Sequence, residues 1–264
     1  MKTVLVTGSS TGIGAACATR LAGRGWRVLA GVRKPGDAPA GTEEVLLDVT
    51  DGDACVAAAS QADRLDGLVD NAGIAVASPL EYLPLEELRR QLEVNVVGQL
   101  AVIQALLPAL RAARGRIVIV GSIAGKSALP FLGAYAMSKH ALEAMADSLR
   151  LELAPDGVHV ALVEPGTIAT PIWSKPQEAV DALPPEAITR YGKRIEAFRM
   201  AAAGRAANAA PADNVAAAIE HALTADSPKT RYLVGRDAKI RRTIERLPDP
   251  LRDRLIKRAL LGKG

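Results

Sequence analysis

The sequence predicts a doubly wound α/β fold, in which a parallel sheet of about seven strands carries helices on both faces. Short runs rich in β-branched residues and Leu alternate with longer helical patterns, as repeated strand–helix–strand units require. Hydrophobic residues make up 49% of the 264 residues but aromatic residues only 3%. Such a composition suits parallel strands buried between alanine-rich helices, and it argues against a disordered chain.

Each strand is predicted from a short apolar run that ends at a turn or at the start of a helix. The strands are placed at 2–6, 27–32, 44–47, 68–69, 116–120, 158–163 and 232–234. The helices are placed at 12–22, 53–61, 85–110, 134–153 and 212–223. Right-handed crossovers then give the Rossmann arrangement. Because neither a repeat nor a linker marks a second unit, residues 1–264 are predicted to form a single domain.

The stretch 167–211 departs from this alternation and is rich in proline and alanine. It follows the sixth strand, so it would overhang the crevice in which this architecture binds ligands. We predict a substrate lid with one or two short helices, the alternative being a variable surface loop.

Basic residues are concentrated at the end of the chain. Residues 236–263 carry ten Lys or Arg against four Asp or Glu, although the whole chain has a net charge of only +4. This uneven charge and the scarcity of aromatic residues argue against a nucleic-acid-binding protein. Apolar residues recur at helical spacing in this tail, about 236–264, with a break at Pro248. We expect the tail to dock on its own domain; a sister subunit or an anionic membrane surface is the alternative.

The cysteine pattern favours a cytoplasmic protein. Cys17 and Cys55 are isolated thiols, which is typical of reduced residues rather than of a disulfide framework. The three histidines lie apart from one another, and no metal site is predicted. The first apolar run is too short for the core of a signal peptide, and no later stretch is expected to span a bilayer.

The first strand leads into a glycine-rich turn that opens a helix. The turn reads Thr7, Gly8, Ser9, Ser10, Thr11, Gly12, Ile13, Gly14. Gly8 permits the sharp turn, Gly12 lets the backbone approach a pyrophosphate, and Gly14 allows close packing of helix on strand. The N–H groups at the start of the helix would face the anion. The turn therefore predicts a dinucleotide site.

The second strand ends at Arg33, where an acidic residue would bind the ribose 2′-hydroxyl of NAD. The planar fork of an arginine suits a 2′-phosphate instead, and Lys34 adds a neighbouring charge. NADP is therefore the predicted cofactor, with NAD as the alternative.

Tyr135 and Lys139 lie four residues apart in a predicted helix, so their side chains share one face. An ammonium beside the phenol favours the phenolate and lowers the tyrosine pKa toward the range useful for acid–base catalysis. Ser122 directly follows the fifth strand, at the edge of the sheet where ligands bind. Its hydroxyl would hold a substrate oxygen while Tyr135 passes the proton.

With these residues, the chain resembles the short-chain dehydrogenase/reductase family over residues 1 to about 170. The matching positions in order are the glycine-rich turn, Asp48, Asn71-Ala72-Gly73, Asn95, Ser122, Tyr135 with Lys139, and Pro165-Gly166 with Thr170. The spacings are independent of one another and all agree, which makes the joint pattern specific. The resemblance implies an oxidoreductase that moves a hydride between NADP(H) and the carbon of an alcohol or ketone.

The resemblance also implies a role for each catalytic position. Tyr135 would be the general acid and base, and Ser122 would orient and polarise the substrate oxygen. Lys139 would lower the tyrosine pKa and bind the nicotinamide ribose. Asn95 would hold a water that connects Lys139 to solvent.

Cofactor contacts are implied in the same way. Asp48 would accept from the adenine amino group beside Val49, and Asn71 would stabilise the sheet and border the cofactor. The backbone of Ile168 and the side chain of Thr170 would fix the nicotinamide carboxamide. The other contacts implied are Gly8, Ser10, Thr11, Gly12, Ile13, Gly14, Arg33, Ala72, Gly73, Tyr135, Lys139, Pro165 and Gly166.

Two positions depart from the family pattern: Asp70 stands where the family often has Asn, and Gly121 where it often has Ser. Neither is expected to touch the chemistry. The residues around Tyr135, the Arg33 strand end and the basic tail are similar to the hydroxysteroid and retinol dehydrogenase branch. That likeness implies a bulky apolar alcohol or ketone as substrate.

Two further expectations concern alternatives and assembly. The competing function is a non-catalytic sensor or interaction module that binds NADP(H) without turnover. Many family members are homo-dimers or homo-tetramers built on the helices that hold Asn95 and Tyr135, so the resemblance implies a homo-oligomer.

Overall fold

The computed structural model describes residues 1–173 and 183–261, and within them a seven-stranded parallel sheet forms the centre. The strands are β1 Thr3–Val6, β2 Arg27–Val32, β3 Glu43–Leu46, β4 Gly67–Asp70, β5 Arg116–Val120, β6 His159–Pro165 and β7 Arg231–Val234. The predicted sheet of about seven strands is confirmed. Their spatial order is β3-β2-β1-β4-β5-β6-β7. The order in which strands are added to the sheet therefore reverses between β1 and β4. At this point a doubly wound sheet opens a ligand crevice at its carboxyl edge.

Helices cover both faces of the sheet. They are α1 Gly12–Ala22, α2 Gly52–Ala59, α3 Leu85–Leu92, α4 Gly98–Ala113, α5 Gly133–Glu152, α6 Pro185–Ala206, α7 Ala212–Thr224, α8 Arg236–Ile244 and α9 Asp249–Leu260. Side chains alternate along each strand, so Val4 and Val6 join the core under α1 and α7 while Leu5 joins the core under α2, α4 and α5. Cys17 lies in the first core and Cys55 in the second, both as free thiols.

The helix predicted over 85–110 is wrong as one regular helix, because a π turn at Glu93–Val97 separates α3 from α4. Within this turn the amide of Asn95 bonds to both backbone groups of Ile74, a tertiary contact that helical periodicity does not reveal. By length and composition Leu85–Ala113 would be able to cross a membrane, contrary to the expectation from the sequence. Several of its apolar residues, among them Ile103 and Leu110, are instead buried in the core of this fold.

The segment predicted to be a lid contains a long helix rather than one or two short ones. A 3₁₀ turn at Pro171–Trp173 follows β6, and α6 then runs for 22 residues. Pro185 suits the first helical position, and an alanine-rich run continues the helix. Residues 174–182 of the predicted lid and 262–264 of the predicted tail lie outside the described residues.

Aromatic contacts attach α6 to two loops near the carboxyl edge of the sheet. Tyr191 packs edge-on against Tyr82 and Phe131, with ring centroids 6.1 and 6.2 Å apart, respectively. Phe198 packs on Phe131 at 5.6 Å. Phe131 has a φ of 65°, an uncommon conformation for a residue with a side chain. These contacts hold α6 against the two loops that contain Tyr82 and Phe131.

Candidate active site

A cavity of about 780 Å³ opens along the carboxyl edge of the sheet. It passes the ends of β2, β1, β4, β5 and β6, and so extends across the point between β1 and β4 at which the strand order reverses. The predicted site residues that line it are Gly8, Ser10, Thr11, Gly12, Ile13, Arg33, Asp48, Val49, Asn71, Ala72, Gly73, Ser122, Tyr135, Lys139, Pro165, Gly166, Ile168 and Thr170. Gly14 and Asn95 are the predicted site residues that the lining does not include.

The glycine-rich turn brings backbone close to this cavity. Gly8 and Gly12 have φ angles of 64° and 60°, a region that side chains with a Cβ rarely adopt. A Cβ on Gly14 would overlap the carbonyl oxygen of Gly8 and the amide of Asn71. Within the described part of the chain, Thr11 makes no side-chain hydrogen bond to the start of α1. The first N–H groups of α1 therefore remain available to an anion.

Arg33 and Asp48 stand at the β2–β3 end of the cavity. Arg33 is exposed on the cavity wall, whereas Lys34 does not contribute to the lining. Asp48 accepts hydrogen bonds from the amide and hydroxyl of Thr50 at 3.0 and 2.7 Å. Those bonds, together with the charge of Arg33, hold the pKa of Asp48 below its usual value. This end therefore offers a carboxylate and a guanidinium.

The ends of β1 and β4 are tied together in the middle of the cavity. The hydroxyl oxygen of Thr7 accepts from the amides of Asn71 and Ala72 at 2.8 and 2.9 Å. The side chain of Asn71 donates to the carbonyl oxygen of Thr7 at 2.9 Å. These contacts join the carboxyl ends of β1 and β4 beside the cavity.

Ser122, Tyr135 and Lys139 meet at the β5 end. The hydroxyl oxygen of Ser122 accepts from the amide of Ala124 at 3.1 Å, which fixes the side chain over the 3₁₀ turn Ile123–Gly125. Lys139 donates its ammonium to the carbonyl oxygen of Val120 at 2.9 Å, and its Nζ lies 5.7 Å from the centre of the Tyr135 ring. The helical spacing of the two residues thus places both beside the serine.

Burial dominates the electrostatics at this end. It raises the pKa of Tyr135, while a hydrogen bond with Ser122 and the positive charge of Arg241 act in the opposite direction. Burial lowers the pKa of Lys139 to about 8, and the charge of Asp70 opposes that change. Groups with pKa values moved by burial and by a specific charged partner, inside a cavity, are typical of catalytic sites.

Asp70 does not line the cavity, as expected of a residue that does not touch the chemistry, but its charge acts on Lys139. Its side chain is fully buried, and burial raises its pKa to about 8. Oδ1 accepts from the hydroxyl of Thr7 at 3.3 Å, whereas Oδ2 has no hydrogen-bond partner in the described structure. Asp70 pairs with Ile119 across the sheet, one residue before the Val120 carbonyl that holds Lys139. This register brings a carboxyl group close to the lysine.

Asn95 lies behind the cavity wall rather than in it. Its Oδ1 accepts from the amide of Ile74 at 2.8 Å, and its Nδ2 donates to the Ile74 carbonyl at 3.0 Å and to Ser138 Oγ at 3.1 Å. Gln91, which the sequence does not single out, donates to the same carbonyl oxygen at 2.9 Å. Two buried amides thus fix the strand-like segment after Gly73 against α5, beside Lys139.

Other contributors to the site carry no sequence signal of their own. Ile74 and Ala75 line the cavity directly after the Asn-Ala-Gly motif, so only proximity in the chain points to them. Ile172 comes from the lid. Arg241, whose charge acts on Tyr135, is far from it in the sequence and belongs to the tail. Long-range packing alone brings these groups together.

Comparison with known proteins gives a consistent result. A family model described as short chain dehydrogenase matches residues 2–181. The "NADPH-dependent 3-dehydrocapnine reductase" of Ornithobacterium rhinotracheale is 34% identical over 274 residues, covering 97% of this chain and 96% of that protein. "Retinol dehydrogenase 16" of Homo sapiens is 38% identical over 261 residues, covering 90% and 82%, respectively.

A solved structure also resembles the whole chain. The structure of a short chain dehydrogenase from Burkholderia cenocepacia J2315, in complex with NADP, superposes with a TM-score of 0.76 and 28% identity. The match covers 100% of both chains. The likeness therefore extends beyond the motif region to the lid and the tail.

Proposed function

The chain belongs to the short-chain dehydrogenase family, and from that premise we propose that it transfers a hydride between NADP(H) and the carbon of an alcohol or ketone, with Tyr135 exchanging the proton. One observation carries the proposal. Ser122, Tyr135 and Lys139 meet at one end of a cavity of about 780 Å³. Arg33 and Asp48 stand at the other end.

The cavity fits a dinucleotide by its shape and by the groups that surround it. Its volume lies in the range of cofactor sites. Gly8 and Gly12 leave the backbone bare where a pyrophosphate would approach, and the unsatisfied N–H groups of α1 face that place. When bound, NADPH would supply the hydride, and the residues of the chain would position the carbonyl group and handle the proton.

Proton transfer falls to Tyr135. The hydroxyl of Ser122 already accepts a bond from Ala124, so its own hydrogen is directed toward Tyr135 or toward a substrate oxygen. A carbonyl oxygen placed between Ser122 and Tyr135 would be polarised by both hydroxyls and protonated by the phenol. In the oxidative direction the phenolate would accept the proton of the alcohol.

Lys139 and Asn95 would support that transfer in different ways. Lys139 is held by the Val120 carbonyl beside the tyrosine ring, where its charge favours the phenolate. Asn95 ties Ile74 to Ser138, the residue before Lys139, and so keeps this wall of the site in place. Its proposed part in a water relay is compatible with the second lone pair on Oδ1.

Arg33 supports NADP over NAD. It follows β2, it is exposed on the cavity wall, and within the described residues it has no ion-pair partner. A guanidinium in that position can form two parallel hydrogen bonds to a phosphate.

The surroundings of Tyr135 support a bulky apolar substrate. Its ring packs with Ala75 and Ala124, and Ile172 of the lid packs against the same cluster. An apolar pocket with a few hydroxyl groups at one point selects a substrate by size and orients it by its oxygen.

Two exposed apolar side chains and the two free cysteines support the proposed assembly and location. Val97 and Met137, on the elements that hold Asn95 and Tyr135, are 51% and 43% exposed, which supports a homo-oligomer built on α4 and α5. The buried free thiols support a reduced, cytoplasmic protein.

The experiment is a Tyr135→Phe substitution tested on a panel of ketones with NADPH. We expect NADPH affinity to stay within about twofold and turnover to fall by at least about a hundredfold, because the phenol supplies the proton. Tyr82→Phe is the matched control, since that ring packs on the lid helix away from the proton. Retained turnover in Tyr135→Phe would refute the role, and a wild-type protein that binds NADPH but reduces no ketone would favour the sensor.

A further inference from the structure

Helix α8, at the start of the basic tail, contacts two loops of the active site. Asp237 and Arg241 lie four residues apart on α8, so their side chains share one face of the helix. Asp237 bonds to Thr167 in the loop after β6, and Arg241 bonds to Ser127 in the loop after β5. The helix therefore connects the two loops that border the reactive end of the cavity.

Asp237 fixes the loop after β6 through one carboxylate oxygen. Its Oδ2 accepts from the amide of Thr167 at 2.7 Å and from the hydroxyl of Thr167 at 2.8 Å. The residues on either side, Gly166 and Ile168, line the cavity. A Cβ on Gly166 would overlap the carboxylate, so glycine is needed there for Asp237 to approach. The acid thus sets the position of a segment that faces the cofactor.

Arg241 fixes the loop that carries the serine. Its Nη2 donates to the carbonyl oxygen of Ser127 at 2.5 Å, and its Nε lies 3.4 Å from the Ser127 hydroxyl. The amide of Ser127 in turn donates to the carbonyl oxygen of Ile123 at 3.0 Å. Ile123 directly follows Ser122. A chain of three residues therefore connects the tail with the catalytic hydroxyl.

Arg241 is partly buried beside the active-site loops. Burial and the neighbouring charge of Arg205 lower its pKa to about 10, while Asp237, Glu245 and Tyr135 act in the opposite direction. Its hydrogen bonds in the described structure go to Ser127 rather than to a carboxylate. A partly buried charge without a bonded counter-ion loses hydration that no carboxylate replaces, and this costs stability. Groups whose pKa values are perturbed in this way are frequent at functional sites.

We propose that α8 is a positioning element of the active site, with Asp237 setting the segment under the nicotinamide end of the cavity and Arg241 setting the Ser122 turn. This role rests on the proposed function and assigns the first part of the tail to catalysis. It does so through hydrogen bonds to the chain's own loops, and a membrane surface is not needed to account for them. Arg241 adds a second effect, because its charge favours the phenolate of Tyr135.

The first test separates the cofactor from the chemistry. We expect Asp237→Ala to weaken NADPH binding about tenfold, because two hydrogen bonds to a charged oxygen are lost. Asp237→Asn keeps an acceptor at the same place and should recover most of the affinity. NADPH titration by fluorescence measures both, and it requires no turnover. Lys239→Met is the matched control, since Lys239 belongs to the same helix and is exposed.

The second test uses the pH dependence of alcohol oxidation. Arg241→Met removes the cation that lowers the tyrosine pKa, so the acidic limb of kcat should move to higher pH by about one unit. Lys139 and Ser122, which also lie beside the phenol, are unchanged in this variant. Arg241→Lys keeps the charge and should restore most of the limb, while kcat stays lowered because the fork on Ser127 is lost. NADPH affinity should change less than about twofold in both variants.

The outcomes are distinct from those of the proposed function. If Asp237→Ala and Arg241→Met behave like Lys239→Met in affinity and in pH profile, α8 is a packing helix only and the positioning role is wrong. If the wild-type protein turns over no alcohol or ketone, the proposed function fails, while the affinity of Asp237→Ala still decides whether α8 positions the cofactor loop.

Discussion

The two ends of the cavity are built from different kinds of structure. At the dinucleotide end, the wall consists largely of backbone at strand ends, with Gly8 and Gly12 in left-handed conformations and the open start of α1 beside them. A backbone wall of this kind needs particular residues at fixed spacings, because any Cβ would occupy the space. That requirement is visible in the sequence.

At the substrate end, the wall depends on side chains from distant elements. Ile172 comes from the lid, while Asp237 and Arg241 of α8 reach Thr167 and Ser127 across many residues of chain. Such contacts follow no fixed spacing, since each depends on how helices pack. The comparison teaches that a site for a constant ligand, the dinucleotide, is recognisable from a sequence motif. A site for a variable substrate is formed instead by tertiary packing.

The strongest test of this difference between the two ends is a pair of glycine substitutions. In Gly14→Ala the new methyl group overlaps the Gly8 carbonyl and the Asn71 amide, so we expect NADPH affinity to fall at least about a hundredfold and stability to fall by about 1–3 kcal/mol. Gly204→Ala, on the lid helix, places its methyl group in open space and should stabilise the protein by up to about 1 kcal/mol. Cofactor titration and thermal unfolding measure both. Normal NADPH binding by Gly14→Ala would contradict the packing argument.

The preference for NADPH over NADH tests the role of Arg33 at the dinucleotide end. Arg33→Ser should lower the ratio of NADPH to NADH affinity by about 10- to 100-fold, because charged hydrogen bonds to the 2′-phosphate are lost. Lys34→Ser is the matched control and should change the ratio less than about threefold, since Lys34 does not line the cavity. Equal effects of the two substitutions would show that only overall charge matters there.

A smaller effect is expected at Asp70, the last residue of β4, which tests whether this strand end influences the pKa of Lys139. Burial raises the pKa of Asp70 to about 8, so its carboxylate is charged mainly in the alkaline range. There the negative charge raises the pKa of Lys139, so Asp70→Asn should let the lysine lose its proton at lower pH. The alkaline limb of ketone reduction should then move to lower pH by about one unit. Asp66→Asn, at the opposite end of β4, keeps its bond to the amide of Thr3 and should leave the limb in place. A limb that stays fixed or moves upward in Asp70→Asn would exclude this coupling.

Much of the fold could be predicted, because strand-sized apolar runs alternate with helical periodicity along the chain. The sequence predicted a parallel sheet of about seven strands and a resemblance to the family, and both are confirmed. The π turn around Asn95 was not, since its cause is a bond to Ile74. The length of α6 was also missed, because prolines at 184 and 185 resemble a loop although Pro185 starts the helix.

The residues of the candidate site likewise fall into a group that could be predicted from the sequence and a group that could not. Strand-end residues such as Asp48 and Ser122 could be placed because parallel strands end at one edge. The influence of Asp70 and Arg241 could not, since it arises from burial and from charges that meet only in the folded chain. Charge alone identified the tail, but it did not indicate which of its arginines bonds to the Ser122 loop.

The most direct test follows the hydride and the proton in one reaction. A ketone is reduced with NADPH deuterated at either hydrogen of C4 of the nicotinamide, by the wild-type protein and by Tyr135→Phe, and the alcohol is analysed by mass spectrometry. We expect one of the two labelled cofactors to place a single deuterium on the alcohol carbon with the wild-type protein, and Tyr135→Phe to form almost no labelled alcohol. An unlabelled alcohol from both cofactors, or equal labelling by the variant, would contradict the account.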